Sequence, residues 1–252
     1  MMSAITVSLA VFACVFGGAL LGMFLHSVLP QHHLSSESKD IVKLGMGLVG
    51  TMSALVLGLL VASAKGSYDA QSAELTRMSA NVALLDRVLA LYGSESKETR
   101  SLLRNAVGRA LDQLWSNEGA GPSRLTPQSA GGEIVYEKIP GLSPRNDTQR
   151  SLQGHALAIA MDIAKTRWLM YEQSANTVSL PLLIMLICWL TVVFISFGLF
   201  APFNATVLSS LFVAALSVSG AVFLILEMYA PYTGVIQISS APLRAALAHL
   251  GQ

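Results

Sequence analysis

Charge is what this sequence has least of. Only 12% of its 252 residues are Asp, Glu, Lys or Arg, about half the share of an ordinary soluble domain. Hydrophobic residues make up 53%, and the mean hydropathy is +0.57. That balance excludes a typical soluble domain and points to a chain that lives in lipid. A net charge of +1 excludes electrostatic capture of nucleic acid, so no nucleic-acid partner is expected. Cysteine is also scarce: Cys14 and Cys188 both lie inside apolar runs, which excludes a disulfide framework and a zinc cluster. Catalytic signatures are missing too. There is no G-x-S-x-G, no H-E-x-x-H and no phosphate loop, and His155 has Asp162 two turns on but no nucleophile at a telling distance. The expectation is a protein that is not an enzyme and uses no cofactor or metal.

What is present is a set of four uncharged apolar runs, at residues 4–25, 44–64, 178–200 and 205–226. Each is long enough to cross a hydrocarbon core of about 30 Å as a helix rising about 1.5 Å per residue. The first lacks a basic n-region and an A-x-A site, so it reads as a retained span rather than a cleaved leader. The predicted architecture is all-α and polytopic. A transmembrane hairpin (1–65) precedes a helical domain (66–177), a second hairpin (178–230) follows, and a short tail helix lies in 231–252. Lys65 and the 66–177 segment carry 13 of the 16 Lys and Arg residues. The positive-inside rule therefore puts both termini and the middle domain in the cytoplasm, with the spans in a bacterial inner membrane.

Within the middle domain, Leu75, Met78, Val82, Leu85 and Leu89 recur at helical spacing, and Gly93 follows Tyr92 as a stop. Nothing but glycine interrupts Lys43 to Tyr92, so the second span is free to run on as one helix. A further helix is expected from Ser94, with Leu102, Leu103, Val107, Leu111 and Leu114 facing inward. A mobile loop rich in Gly, Ser and Pro then occupies about 116–133. Ser143 reads as an N-cap with Pro144 in the first turn, and Leu152, Ala156, Ile159, Ile163 and Met170 continue as one stripe. Pro181 is expected to kink the approach to the third span. Trp168, Tyr171, Tyr229 and Tyr232 are placed near the inner membrane boundary. Ser240 is expected to cap the tail helix, which lies either on the membrane or against the domain.

The second span poses the functional question. In GLVGTMSALVLGLLVASAK, the residues Gly47, Thr51, Ala54, Gly58 and Ala62 fall on one helical side. Small side chains at this spacing serve close helix packing, or they line a pore in which Thr51 offers a hydroxyl. Lys43 and Lys65 bracket the span, as snorkelling anchors or as rings of positive charge at the mouths of a pore. Glu227 is the one carboxylate touching a span, at its edge, where pairing with a group such as Arg244 competes with a functional role. The His32-His33 pair, with Glu37 and Asp40 after it, matches no metal-ligand spacing. Asn146-Asp147-Thr148 and Asn204-Ala205-Thr206 fit the glycosylation pattern, but their expected positions, in the cytoplasm and against the membrane, rule that use out.

The runs ALVLGLLVASAKGSYD, LLDRVLALYG, LSPRNDTQRSLQ, TRWLM, FGLFAPFNATV and SVSGAVFLILEM, with the tail ISSAPLRAALAHLGQ, resemble the bacterial bestrophin-like membrane proteins over nearly the whole chain. That family is distantly similar to the bestrophins, which are pentameric anion channels with four membrane helices, the second lining a central pore. The resemblance implies a homo-oligomer, with a pentamer favoured, that passes chloride or other small anions. It also implies that Gly47, Thr51, Ala54, Gly58 and Ala62 line the path. Two departures stand out. Bestrophins narrow the pore with bulky side chains, but no aromatic residue lies between Lys43 and Gly66. Animal bestrophins also carry an acidic calcium clasp after the last span, and the tail IQISSAPLRAALAHLGQ has no acidic residue. Two other classes stay open: a non-conducting scaffold or sensor whose cytoplasmic domain binds partners, and a proton-driven subunit of the flagellar-stator type, for which Glu227 is the one approximate candidate.

Overall fold

The structure is a computed structural model that describes residues 3–30, 36–115, 132–174, 178–232 and 234–251. His32, His33 and residues 116–131 of the expected loop lie outside these. The described residues are all-helical with no strand: α1 (Ala4–Val28), α2 (Ser36–Tyr92), α3 (Lys97–Trp115), α4 (Gly132–Lys138), α5 (Asp147–Ser174), α6 (Leu180–Phe200), α7 (Ala205–Met228) and α8 (Ala241–His249). Four of them, α1, α2, α6 and α7, are long and apolar enough to cross a membrane. The chain forms two compact units, Met1–Gly66 with Thr177–Tyr229, and Ser67–Asn176 with Ala230–Gln252.

In the first unit α1 packs on α6 and α7. Ser3 caps α1 by accepting the Thr6 N–H at 3.2 Å, and the helix ends just before Pro30, which disfavours helical geometry in the residue ahead of it. Val11, Val15 and Ala19 of α1 are buried against Phe194 of α6 and Leu211, Ala215 and Val222 of α7. Phe12 and Phe16 stack, and Phe212 meets both edge to face, with centroids 5.4–5.5 Å apart. The closest approach is made by glycines. A methyl group added at Gly22 would fall inside the Ile195 carbonyl, and one at Gly198 inside the Ala19 carbonyl. The His26 ring nitrogen Nδ1 reaches the Leu199 carbonyl at 2.8 Å, closing the same seam. The corner between α6 and α7 is held by Asn204, whose side-chain oxygen accepts the Val207 N–H at 2.8 Å.

Pro181 does not kink a continuing helix. It occupies the first turn of α6, a new helix opening at Leu180, where its missing N–H has no intrahelical partner to lose.

In the second unit Leu75, Val82, Leu85 and Leu89 of α2 form one core with Leu103, Val107 and Leu114 of α3, Ala156 and Ala160 of α5, Leu243 of α8 and Leu250 just after it. Burying each leucine is worth about 1.5–3 kcal/mol. Gly93, at φ +121°, turns the chain from α2 through a 3-10 turn at Ser94–Ser96 into α3. α4 opens at Gly132 and Glu133, the end of the segment expected to be a loop. α5 starts at Asp147, not at Pro144. Asn146 takes the capping role, its Oδ1 accepting the Gln149 N–H at 2.8 Å. Gln153 Nε2 holds the preceding turn by donating to the carbonyls of Ile139 and Leu142. Both asparagines of the glycosylation-like triplets are therefore helix caps.

The tail docks on the second unit. Leu243, Ala246 and Leu250 are buried in its core, and Ser240 stands at the cap position of α8 without making the capping hydrogen bond. Trp115 Nε1 donates to the Ile238 carbonyl and Arg104 Nη1 to the Leu250 carbonyl. Tyr232 is buried in the same unit, edge-on to Trp115 at 5.9 Å.

Candidate functional site

The membrane part of α2 shows three faces. Ser53, Leu60 and Ala64 are buried, and Leu60 and Ala64 pack with Leu186 of α6 and Ile225 of α7. On the far side Gly47, Thr51, Ala54, Gly58 and Ala62 are all exposed within the single chain. A methyl group added at Gly47 or Gly58 meets nothing within 4 Å. Beside them runs a ridge of large apolar side chains in which Leu44 is 78% and Leu55 70% exposed, continued by Leu48 and Leu59. Positions three and four apart share a side of a helix, so each face is continuous over the span.

Small residues therefore do two different things here. Those that bring helices together are Gly18, Gly22 and Gly198, on the α1–α6 seam, which the sequence reading did not single out. Among the described residues, the small side of α2 meets no other helix at Gly47 or Gly58. The GALLG spacing of Gly18 and Gly22 was the available signal, a small-xxx-small pattern on α1 facing one glycine on α6.

The expected hydroxyl at Thr51 is spoken for. Its Oγ1 donates to the Gly47 carbonyl at 2.9 Å, the back-bonding common for threonine in a helix, so the proton an anion would need is held by the helix itself. Ser53 does the same to Val49 at 2.7 Å. Lys43 and Lys65 are both exposed, and the 22 steps between them correspond to about 33 Å of helix. Glu227 is buried at 6% exposure in the last turn of α7, and neither it nor Lys65 lacks a partner. Beside that end, Tyr229 and Ser63 share a hydrogen bond of 3.0 Å through their hydroxyls.

A family model described as a bestrophin-like domain matches residues 13–243. The chain belongs to the bestrophin-like family. The match begins within α1 and ends within α8, so it takes in α2, α6 and α7 whole and most of α1 and of the second unit. No curated protein and no solved structure matches it.

The electrostatics of the bestrophin-like second unit centre on Asp86, 5% exposed. It accepts two hydrogen bonds from Arg100, both 2.8 Å, and the Gly251 N–H at 3.2 Å. Burial pushes the Asp86 carboxyl up, but the Arg100 hydrogen bonds, the Gly251 amide and the Arg100 charge together hold it below the usual value. Tyr232 is pushed up by burial and by the nearby Glu74 carboxylate, so it stays protonated. Glu74 itself accepts from Gln173 Nε2 at 2.7 Å. Among the described residues no cluster of three His, Cys, Asp or Glu side chains is placed to hold a metal ion.

Proposed function

We propose that this bestrophin-like protein is a homo-oligomeric membrane channel for small anions such as chloride, with α2 of each copy facing a central path. A pentamer is the favoured state. Both termini and the second unit lie in the cytoplasm, the spans in the bacterial inner membrane, and the protein performs no catalysis. The observation that carries the reading is the division of labour on α2. Among the described residues its small side is exposed, and a ridge of leucines beside it supplies the apolar surface a neighbouring copy needs.

The wall formed by Gly47, Thr51, Ala54, Gly58 and Ala62 then offers width but no free donor. Preference for anions rests on the ends, where Lys43 and Lys65 supply rings of positive charge when several copies assemble. Glu227 is an edge carboxylate at one end of its span, which argues against the proton-driven reading.

Chloride flux in proteoliposomes containing the purified protein tests this. Ala54→Leu and Gly58→Leu should block flux while the oligomer, measured by native mass spectrometry, stays intact. Inert wild-type vesicles would overturn the proposal. So would a loss of assembly in both variants, which is the outcome a non-conducting scaffold predicts.

A further inference from the structure

The second unit contains a cavity of about 330 Å³ that the channel reading does not use. Its inner wall is apolar, built from side chains such as Val82 of α2, Val107 of α3, Val135 of α4 and Ala160 of α5. Its mouth is different. Tyr136, Met161, Trp168 and Tyr171 are 37–53% exposed there, with Trp168 and Tyr171 edge to face at 6.0 Å. Large apolar and aromatic groups exposed around an apolar hollow are the usual surroundings of a small-molecule site, and the volume is at the lower end of such sites.

One cation stands in the wall. Arg167 of α5 is half-buried, and burial lowers its affinity for its proton, an effect that attraction to the exposed Glu133 only partly offsets. Arg167 has other contacts within the fold, yet a guanidinium beside an apolar hollow still gains from a carboxylate, which it binds through paired N–H donors. The size limits the rest of the ligand. The volume, at the lower end of small-molecule sites, suits a single chain of medium length.

We propose that this cavity binds a free single-chain carboxylate of medium length, its chain among Val82, Val107 and Ala160 and its head group on Arg167. The site is separate from the α2 path, so it stands or falls independently of conduction.

The test uses the full chain in lipid nanodiscs with photoreactive decanoate, and decanol of the same design as the neutral control. Decanoate should label peptides from 103–114 and 160–171, and unlabelled decanoate should compete. Arg167→Gln should cut decanoate labelling by about tenfold, the loss of roughly one charge-assisted hydrogen bond, and leave decanol labelling unchanged. Ala110→Phe, which fills the hollow, should remove both; if that variant fails to fold, Ala164→Phe fills it from α5. Labelling confined to the membrane helices, equal labelling by decanoate and decanol, or an Arg167→Gln variant that labels like the wild type would each overturn the proposal.

Discussion

Alanine in place of Gly22 or Gly198 should separate α1 from α6. At Gly22 the new methyl would overlap the Ile195 carbonyl, with the Leu199 nitrogen at 2.8 Å; at Gly198 it would overlap the Ala19 carbonyl, with the Met23 nitrogen at 3.0 Å. The obstacles are backbone atoms, which cannot swing aside as a side-chain end does, so the whole helix must move. Overpacking a tight site costs about 1–3 kcal/mol, and backbone contacts on both helices put these variants at the upper end. A Gly→Ala exchange in a helix otherwise gains about 0.8–1 kcal/mol from propensity. The net expected loss is therefore about 2 kcal/mol for each variant. Gly47→Ala and Gly58→Ala make the same chemical change in open space, so they should keep the propensity gain and melt no lower than the wild type. Thermal unfolding of the four variants side by side, followed by circular dichroism in one detergent, gives the comparison. Gly22→Ala melting with Gly58→Ala would refute the α1–α6 contact and the assignment of faces that depends on it.

The second unit should weaken in acid through Asp86. Its carboxyl is held below the unfolded value of about 3.9, so its contribution is complete above that pH and lost as pH falls through the lower folded value. Asp86→Asn should cost about 2–3 kcal/mol at pH 7, because Arg100, 17% exposed, loses its charged partner, and the variant should lose this part of the dependence below about pH 4. Chemical unfolding at pH 7, 4 and 3 measures both effects, and a variant with the wild-type acid slope would contradict them. Leu250→Ala removes a side chain that is 1% exposed and should cost about 2–5 kcal/mol; hydrogen exchange should then rise first over α8 and the 230–240 segment. Unchanged protection there would show that the tail does not depend on this anchor.

The sequence by itself determined the class of the molecule. Uncharged runs of twenty or more residues must satisfy their backbone internally in lipid, and only helices do so within one segment, so four spans follow from composition and length. The helical spacing of Leu75, Val82, Leu85 and Leu89 likewise marks one buried face, because the period of a helix is a local property. The grouping of Gly47, Thr51, Ala54, Gly58 and Ala62 on one side of α2 was legible for the same reason. Which neighbour each face meets was not. Small residues occur at similar spacing on α1 and α2, and only tertiary packing assigns the tight contact to Gly18, Gly22 and Gly198 and leaves the α2 side uncovered. The same holds for Asn146 capping α5 in place of Ser143, for the back-bond that occupies Thr51, and for the tail, whose three leucines suit a membrane surface as well as a protein core. Those outcomes depend on residues far apart in the chain meeting in space, and a local pattern carries no record of its distant partner.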